Sequence, residues 1–170
     1  MVTISIKSGD LPQKERRDSK LRWFTRLNLL GVAITAYLSY LHFKPSASTI
    51  CTINEYLDCD IVNKSIYSEL WGIPVALLGF LTYLFLLIVT RKLLKGYSFT
   101  SFHHTLTFSR VSHILWATTA FGFLFSSYLT YVEFFILQVA CIFCLAQYGI
   151  LMINLFIISS LIRNLPKENS

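Results

Sequence analysis

Charge is scarce in this chain. Only 14% of its 170 residues are Asp, Glu, Lys or Arg, well below the roughly 25% of ordinary soluble domains. The charges are unevenly placed and leave long apolar runs between them, while 54% of residues are hydrophobic. This excludes a water-soluble domain and reads as an integral membrane protein. Internal repeats and low-complexity segments are absent, so one compact helical unit is expected. A nucleic-acid partner is not implied by the net charge of +6, because the basic residues cluster beside apolar runs, where the positive-inside rule accounts for them. His42, His103, His104 and His113 show no ligand-like spacing, and no metal is expected.

What is present is a set of four apolar runs. The spacing predicts an all-α membrane protein, a bundle of four transmembrane helices spanning about 23–43, 74–90, 111–132 and 137–162. Residues 1–21, with Lys7, Lys14, Arg16, Arg17 and Lys20, read as a mobile cytoplasmic arm. Residues 22–163 form the transmembrane domain and 164–170 a cytoplasmic tail. The first span is too long for a secretory signal core, although Ser46-Ala47-Ser48 has the small residues of a cleavage site. Residues 44–73 form an outer loop, with a short amphipathic surface helix around Ile66–Leu70. Trp71 suits the membrane interface, and Gly72-Ile73-Pro74 reads as a turn with proline in the first turn of the next helix. Glu133, at the far end of the third span, reads as an interfacial residue, with proton handling as the alternative.

Lysine and arginine concentrate in the N-terminal arm, the 91–110 connection and the tail. Both termini are therefore expected in the cytoplasm, with the 44–73 loop and the turn near Glu133 facing outward. All four cysteines then lie on the outer, oxidising side.

Cys141 and Cys144 form a Cys-x-x-Cys pair at the mouth of the fourth span, with Cys141 placed to react at the surface and Cys144 one turn deeper. Three residues apart on a helix, they share a face and lie about 4.5 Å apart along the axis. A helix N-terminus favours the thiolate, the nucleophile of disulfide exchange. Tyr148, four residues beyond Cys144, offers a phenol to a carbonyl, and its apolar surroundings suit a flat, lipid-soluble oxidant such as a quinone. Cys51 and Cys59 form a second pair in the outer loop. Two dithiols on one membrane face suggest a relay from a soluble thiol protein through the loop pair to the helix pair and on to a quinone. Exchange passes through mixed disulfides, so the scheme requires a loop that can move. The cysteines alone leave two other readings open: two structural disulfides, or a structural zinc site, for which the Cys51–Cys59 spacing is too wide. Ser65 reads at this level as a helix cap.

The stretches Cys51, Cys59-Asp60-Ile61-Val62 with Ser65, Tyr67-Ser68, Gly72-Ile73-Pro74, and Cys141-Ile142-Phe143-Cys144 with Tyr148 resemble the vitamin K epoxide reductase family. The order of the motifs, spaced pair first and Cys-x-x-Cys opening the fourth helix, is specific to it. The other four-span, quinone-linked family of disulfide-forming proteins carries its Cys-x-x-Cys in the first outer loop. The resemblance implies a four-helix bundle around a quinone, with Cys141 and Cys144 as the catalytic pair and Cys144 facing the quinone. It implies Cys51 and Cys59 as the shuttle pair, with Cys59 forming the transient disulfide to Cys141. Ser65 and Tyr148 match family positions near the quinone. Asp60 follows the second loop cysteine as in many bacterial members. The asparagine that animal members carry near the start of the second helix is missing from Gly72-Ile73-Pro74-Val75-Ala76-Leu77-Leu78-Gly79, which favours quinone reduction over epoxide reduction. The tail lacks a dilysine-like retrieval signal. These 170 residues leave no room for the thioredoxin-like domain fused to many bacterial and plant members.

The expected protein is therefore a quinone-dependent thiol-disulfide oxidoreductase of a bacterial inner membrane. It reoxidises a periplasmic thioredoxin-fold, DsbA-like partner and passes two electrons to ubiquinone, menaquinone or a similar quinone. The competing expectations are a vitamin K epoxide or quinone reductase of a eukaryotic secretory compartment, and a non-catalytic four-span protein with structural disulfides.

Overall fold

The computed structural model describes residues 10–44, with side chains from Lys14, together with 56–95 and 108–164. Cys51, His103 and His104 lie outside the described residues, as do the first nine residues and the last six. Four long helices carry the fold: α1 (Asp10–Phe43), α3 (Val75–Leu94), α4 (Phe108–Val132) and α5 (Ile142–Arg163). A five-residue helix, α2 (Cys59–Asn63), and a 3₁₀ turn (Ile66–Ser68) lie between α1 and α3, followed by a hairpin of β1 (Glu69–Leu70) and β2 (Ile73–Pro74). A π turn, Glu133–Leu137, prolongs α4.

The first helix begins earlier than the charge pattern predicts. Residues 10–21, expected within a mobile arm, continue α1 as helix. The physical reason lies in the stretch Gln13-Lys14-Glu15-Arg16-Arg17, which is rich in strong helix formers. It extends a helix already nucleated by its packed half, and extension is much cheaper than nucleation.

Helices α3, α4 as far as Leu137, and α5 are long and apolar enough to cross a bilayer, and they are the three such helices among the described residues. The chain is a membrane protein on that ground. The expected four spans thus appear as four packed long helices, of which three meet the length and composition of a span. Helix α1 carries Arg22, Arg26, Asn28, Thr35 and Ser39, which lower its hydropathy. Its packing against α3 and α5 turns Asn28, Thr35 and Ser39 inward, where Asn28 and Thr35 are fully buried, while Arg22 and Arg26 stay exposed. Thr35 donates to the Gly31 carbonyl at 2.7 Å and Ser39 to the Thr35 carbonyl at 2.7 Å, so neither hydroxyl is left unpaired in an apolar setting.

Lipid supplies no hydrophobic force between helices, so small residues and polar contacts decide how they associate. A Cβ on Gly31 would run into the Tyr83 ring, and the fully buried Tyr83 locks α1 against α3 there. Asn154 Nδ2 reaches Asn28 Oδ1 at 3.5 Å, joining α5 to α1 for about 0.6 kcal/mol by the usual measure of such bonds.

Two apolar clusters sit at opposite ends of the bundle. One gathers Leu21, Phe24, Leu86, Leu115, Ile158 and Leu161, and the other Leu38, Cys59, Val62 and Cys141. Arg91, Lys92 and Arg163 occupy the last turns of α3 and α5, and Lys20 donates to Ser160 Oγ at 2.7 Å. The first cluster therefore lies at the basic end and the described cysteines at the other.

The outer segment differs in form from the single surface helix expected at Ile66–Leu70. Instead it is built of α2, the 3₁₀ turn and the hairpin. Leu70 pairs with Ile73, leaving a two-residue turn in which Trp71 and Gly72 have φ of 53° and 77°. Positive φ at both positions is the form that matches strand twist. Pro74 ends the hairpin and stands at the N-cap of α3, one step before the helical position expected for it. Trp71 at the tip is 94% exposed, as a residue meeting a membrane interface would be.

Candidate active site

Two short backbone features bring the distant cysteines together. Leu57 forms an isolated parallel bridge with Ala140: Ala140 N donates to the Tyr56 carbonyl at 2.9 Å and Asp58 N to the Ala140 carbonyl at 3.2 Å. Just beyond the bridge, Asp58 caps α2 by accepting from Asp60 N at 2.8 Å and Ile61 N at 3.2 Å, which satisfies donors that a helix start leaves open. Cys59 opens that helix. Cys141 follows Ala140 directly, so the bridge sets the two cysteines side by side. Their sulfurs are 2.7 Å apart, across 82 residues of sequence, and both residues are fully buried.

Cys141 is the N-cap of α5, with φ −102° and ψ 117°, and its sulfur accepts from Cys144 N at 3.4 Å. It therefore stands just outside the helix, not within it, and it is enclosed where sequence reasoning expected a surface thiol. Cys144 sits in the first turn of α5, and both Cys141 and Cys144 are free thiols. Cys59, by contrast, is disulfide-bonded. A free thiol placed against a disulfide-bonded cysteine is the geometry of thiol-disulfide exchange.

Cys144 lines a small, partly open cavity of about 70 Å³, where apolar walls and a few polar groups converge as they do in small-molecule sites. Its walls are largely apolar, with Leu38 from α1, Val62 from α2, Ala76 from α3 and Leu129 from α4. Among its polar lining residues are Ser65, Tyr67, Glu133, Cys144 and Gln147. Apolar walls, a few polar groups and a thiol therefore meet at one place.

The structure distributes the sequence-predicted residues unevenly. Ser65 lines the cavity, with its hydroxyl donating to the Val62 carbonyl at 2.8 Å; it makes no side-chain cap. Tyr148 stacks on Phe123 of α4, with centroids 5.2 Å apart and planes 14° from parallel, and it is not among the cavity's lining residues. Gln147 lines the cavity in its stead, one helical turn beyond Cys144 on the same face. Gly79 makes the room: a Cβ there would stand 3.3 Å from Gln147 Nε2. Asp60 forms an ion pair with Lys64 at 2.8 Å, away from the sulfurs' contact.

Sequence reasoning missed two further residues and read a third as interfacial, with proton handling as its alternative. Asn63, buried, donates to the Leu38 carbonyl at 2.8 Å. His42 Nδ1 donates to the Asn63 carbonyl at 2.8 Å, and its Nε2 lies 3.3 Å from Glu69. Together they clamp the outer segment to the end of α1. The third is Glu133, which is 2% exposed rather than interfacial and accepts from Cys141 N at 3.1 Å. A carboxylate following an apolar span was a visible signal, but the turn that folds it inward was not.

A sequence model of the vitamin K epoxide reductase family matches residues 22–160. The chain belongs to that family. No curated protein matches it significantly. The matched region contains all four cysteines and every cavity-lining residue. As a vitamin K epoxide reductase family member with apolar spanning helices, the protein is a membrane oxidoreductase.

Proposed function

We propose that this family member reoxidises a thioredoxin-fold, DsbA-like thiol protein and passes two electrons through Cys51 and Cys59, then Cys141 and Cys144, to a quinone. The observation that carries the reading is the placement of the Cys-x-x-Cys pair: Cys141 meets Cys59 at 2.7 Å on one side, and Cys144 lines the cavity on the other. The free thiols of Cys141 and Cys144 speak against the alternative of two structural disulfides.

In the forward direction, a partner dithiol reduces the loop pair. A Cys59 thiolate then attacks the Cys141–Cys144 disulfide at Cys141 and releases Cys144 as a thiol. Cys51 attacks Cys59, closing the loop disulfide and freeing Cys141. The helix dithiol now holds two electrons beside the cavity. A quinone there accepts two electrons and two protons, and Cys141 and Cys144 close again. Gln147 donates to a quinone oxygen, Ser65 does so once its hydroxyl turns from the Val62 carbonyl, Cys144 is the sulfur facing the ring, and Tyr148 holds α5 against α4 through Phe123. The cysteine end of the bundle lies on the periplasmic side of the inner membrane, with the basic end and both termini in the cytoplasm, as the lysine and arginine bias requires.

A single-turnover experiment tests this. Protein carrying a reduced helix pair is mixed with ubiquinone or menaquinone analogues, and both the quinone absorbance and free thiols are followed. One quinone reduced per Cys141–Cys144 disulfide formed is expected; thiols that stay reduced with each quinone would refute the proposal.

A further inference from the structure

Reduction of a quinone by a dithiol moves two protons as well as two electrons, and the groups beside the buried Cys141 must carry them. Glu133 is an acidic side chain that lines the cavity and is only 2% exposed. Its carboxylate accepts from Cys141 N at 3.1 Å, and it lines the same cavity as Cys144. It thus bonds one half of the Cys-x-x-Cys pair, shares the cavity wall with the other, and faces the space where the quinone would sit. No Lys, Arg or His is among the described residues lining the cavity. A buried carboxylate without a cation beside it is costly, and a proton is the counter-charge it can gain and lose.

We propose that Glu133 is a catalytic proton carrier between the Cys144 thiol and the quinone oxygen. This rests on the quinone-reducing function proposed above. The Cys144 S–H bond breaks as its proton passes to a Glu133 carboxylate oxygen. The Cys141–Cys144 bond forms as two electrons leave the sulfurs for the quinone, and Glu133 delivers its proton to a quinone oxygen, returning to carboxylate. The second proton comes from the Cys141 thiol, so the dithiol loses two electrons and two protons and the quinone gains the same. Cys59 from α2, Tyr67 from the 3₁₀ turn, and Cys141 and Cys144 are the other titratable groups around this space; α1, α3 and α4 contribute none to the lining.

The test uses purified full-length protein. Glu133→Gln keeps an oxygen to accept from Cys141 N–H and loses the ability to carry a proton. Quinone reduction is expected to fall about 10²-fold or more, in the range of general acid–base catalysis, and to lose the wild-type pH dependence, with Glu133→Asp restoring part of both. A second readout needs no quinone. Alkylation of Cys144 in the reduced protein, followed against pH, is expected to report two ionisations in the wild type and one in Glu133→Gln. Formation of the Cys59–Cys141 disulfide in a Glu133→Gln, Cys144→Ala double variant checks the fold. Should Glu133→Gln not fold, Glu133→Asp must shift both pH profiles. Wild-type quinone reduction and an unchanged alkylation profile in the variants would overturn the assignment alone. A wild type that reduces no quinone would overturn the function it rests on, and the proton route with it.

Discussion

Cys141 at the N-cap of α5 lies with its sulfur 2.7 Å from that of Cys59, and both are sealed from solvent. Removing Cys144 should therefore strand electrons at this contact. In Cys144→Ala, Cys141 has no partner in its own motif, and the Cys59–Cys141 disulfide is expected to accumulate. Non-reducing proteolysis and mass spectrometry read the linkage directly. A Cys144→Ala protein with Cys141 still free after exposure to oxidant would contradict the pairing.

The backbone that makes this contact was invisible in the sequence. The Cys-x-x-Cys spacing, the turn before α3 and the spanning character of α3, α4 and α5 are local patterns, and they could be read from periodicity and hydropathy. The parallel bridge between Leu57 and Ala140 is a single pair of main-chain contacts between distant segments, and no side-chain pattern announces it. The same applies to Glu133. Its burial depends on the π turn Glu133–Leu137 and on Gln138, which reverses the chain with φ 55°. Cys141 was expected at the surface because it opens the fourth helix at the lip of the membrane; beside the bridge it is fully buried. Of the cavity face, Cys144 was legible, whereas the choice between Gln147 and Tyr148 turned on the packing of α5 against α4.

That choice can be measured. Gln147→Leu removes a polar group from the cavity and should raise the quinone KM by about three- to tenfold, the worth of one hydrogen bond. Tyr148→Phe keeps the ring stacked on Phe123 and should change KM far less. The reverse ranking would return Tyr148 to the quinone contact.

Asn63 holds the outer segment to α1 through its bond to the Leu38 carbonyl. Asn63→Leu fills the volume but leaves that carbonyl without this donor, at a cost of about 1–3 kcal/mol. Because α2 carries Cys59, the cost should appear as faster alkylation or reduction at Cys59 as well as earlier thermal unfolding in detergent. Unchanged reactivity at Cys59 would show that the clamp does not govern the cysteine contact.

Gly31 faces the Tyr83 ring with no room for a Cβ. Gly31→Val should force α1 from α3 and lower stability by about 1–3 kcal/mol, as overpacking does, visible as a lower midpoint in thermal unfolding. Gly149, where an added Cβ meets nothing within 4 Å, supplies the control: Gly149→Ala should not destabilise the protein.

The most direct test of the whole account is steady-state quinone reduction by the purified protein, driven by a reduced DsbA-like partner, with Cys144→Ala alongside. The account predicts turnover in the wild type and none in a variant that remains folded and still forms the Cys59–Cys141 disulfide. Turnover that survives in Cys144→Ala would contradict the relay.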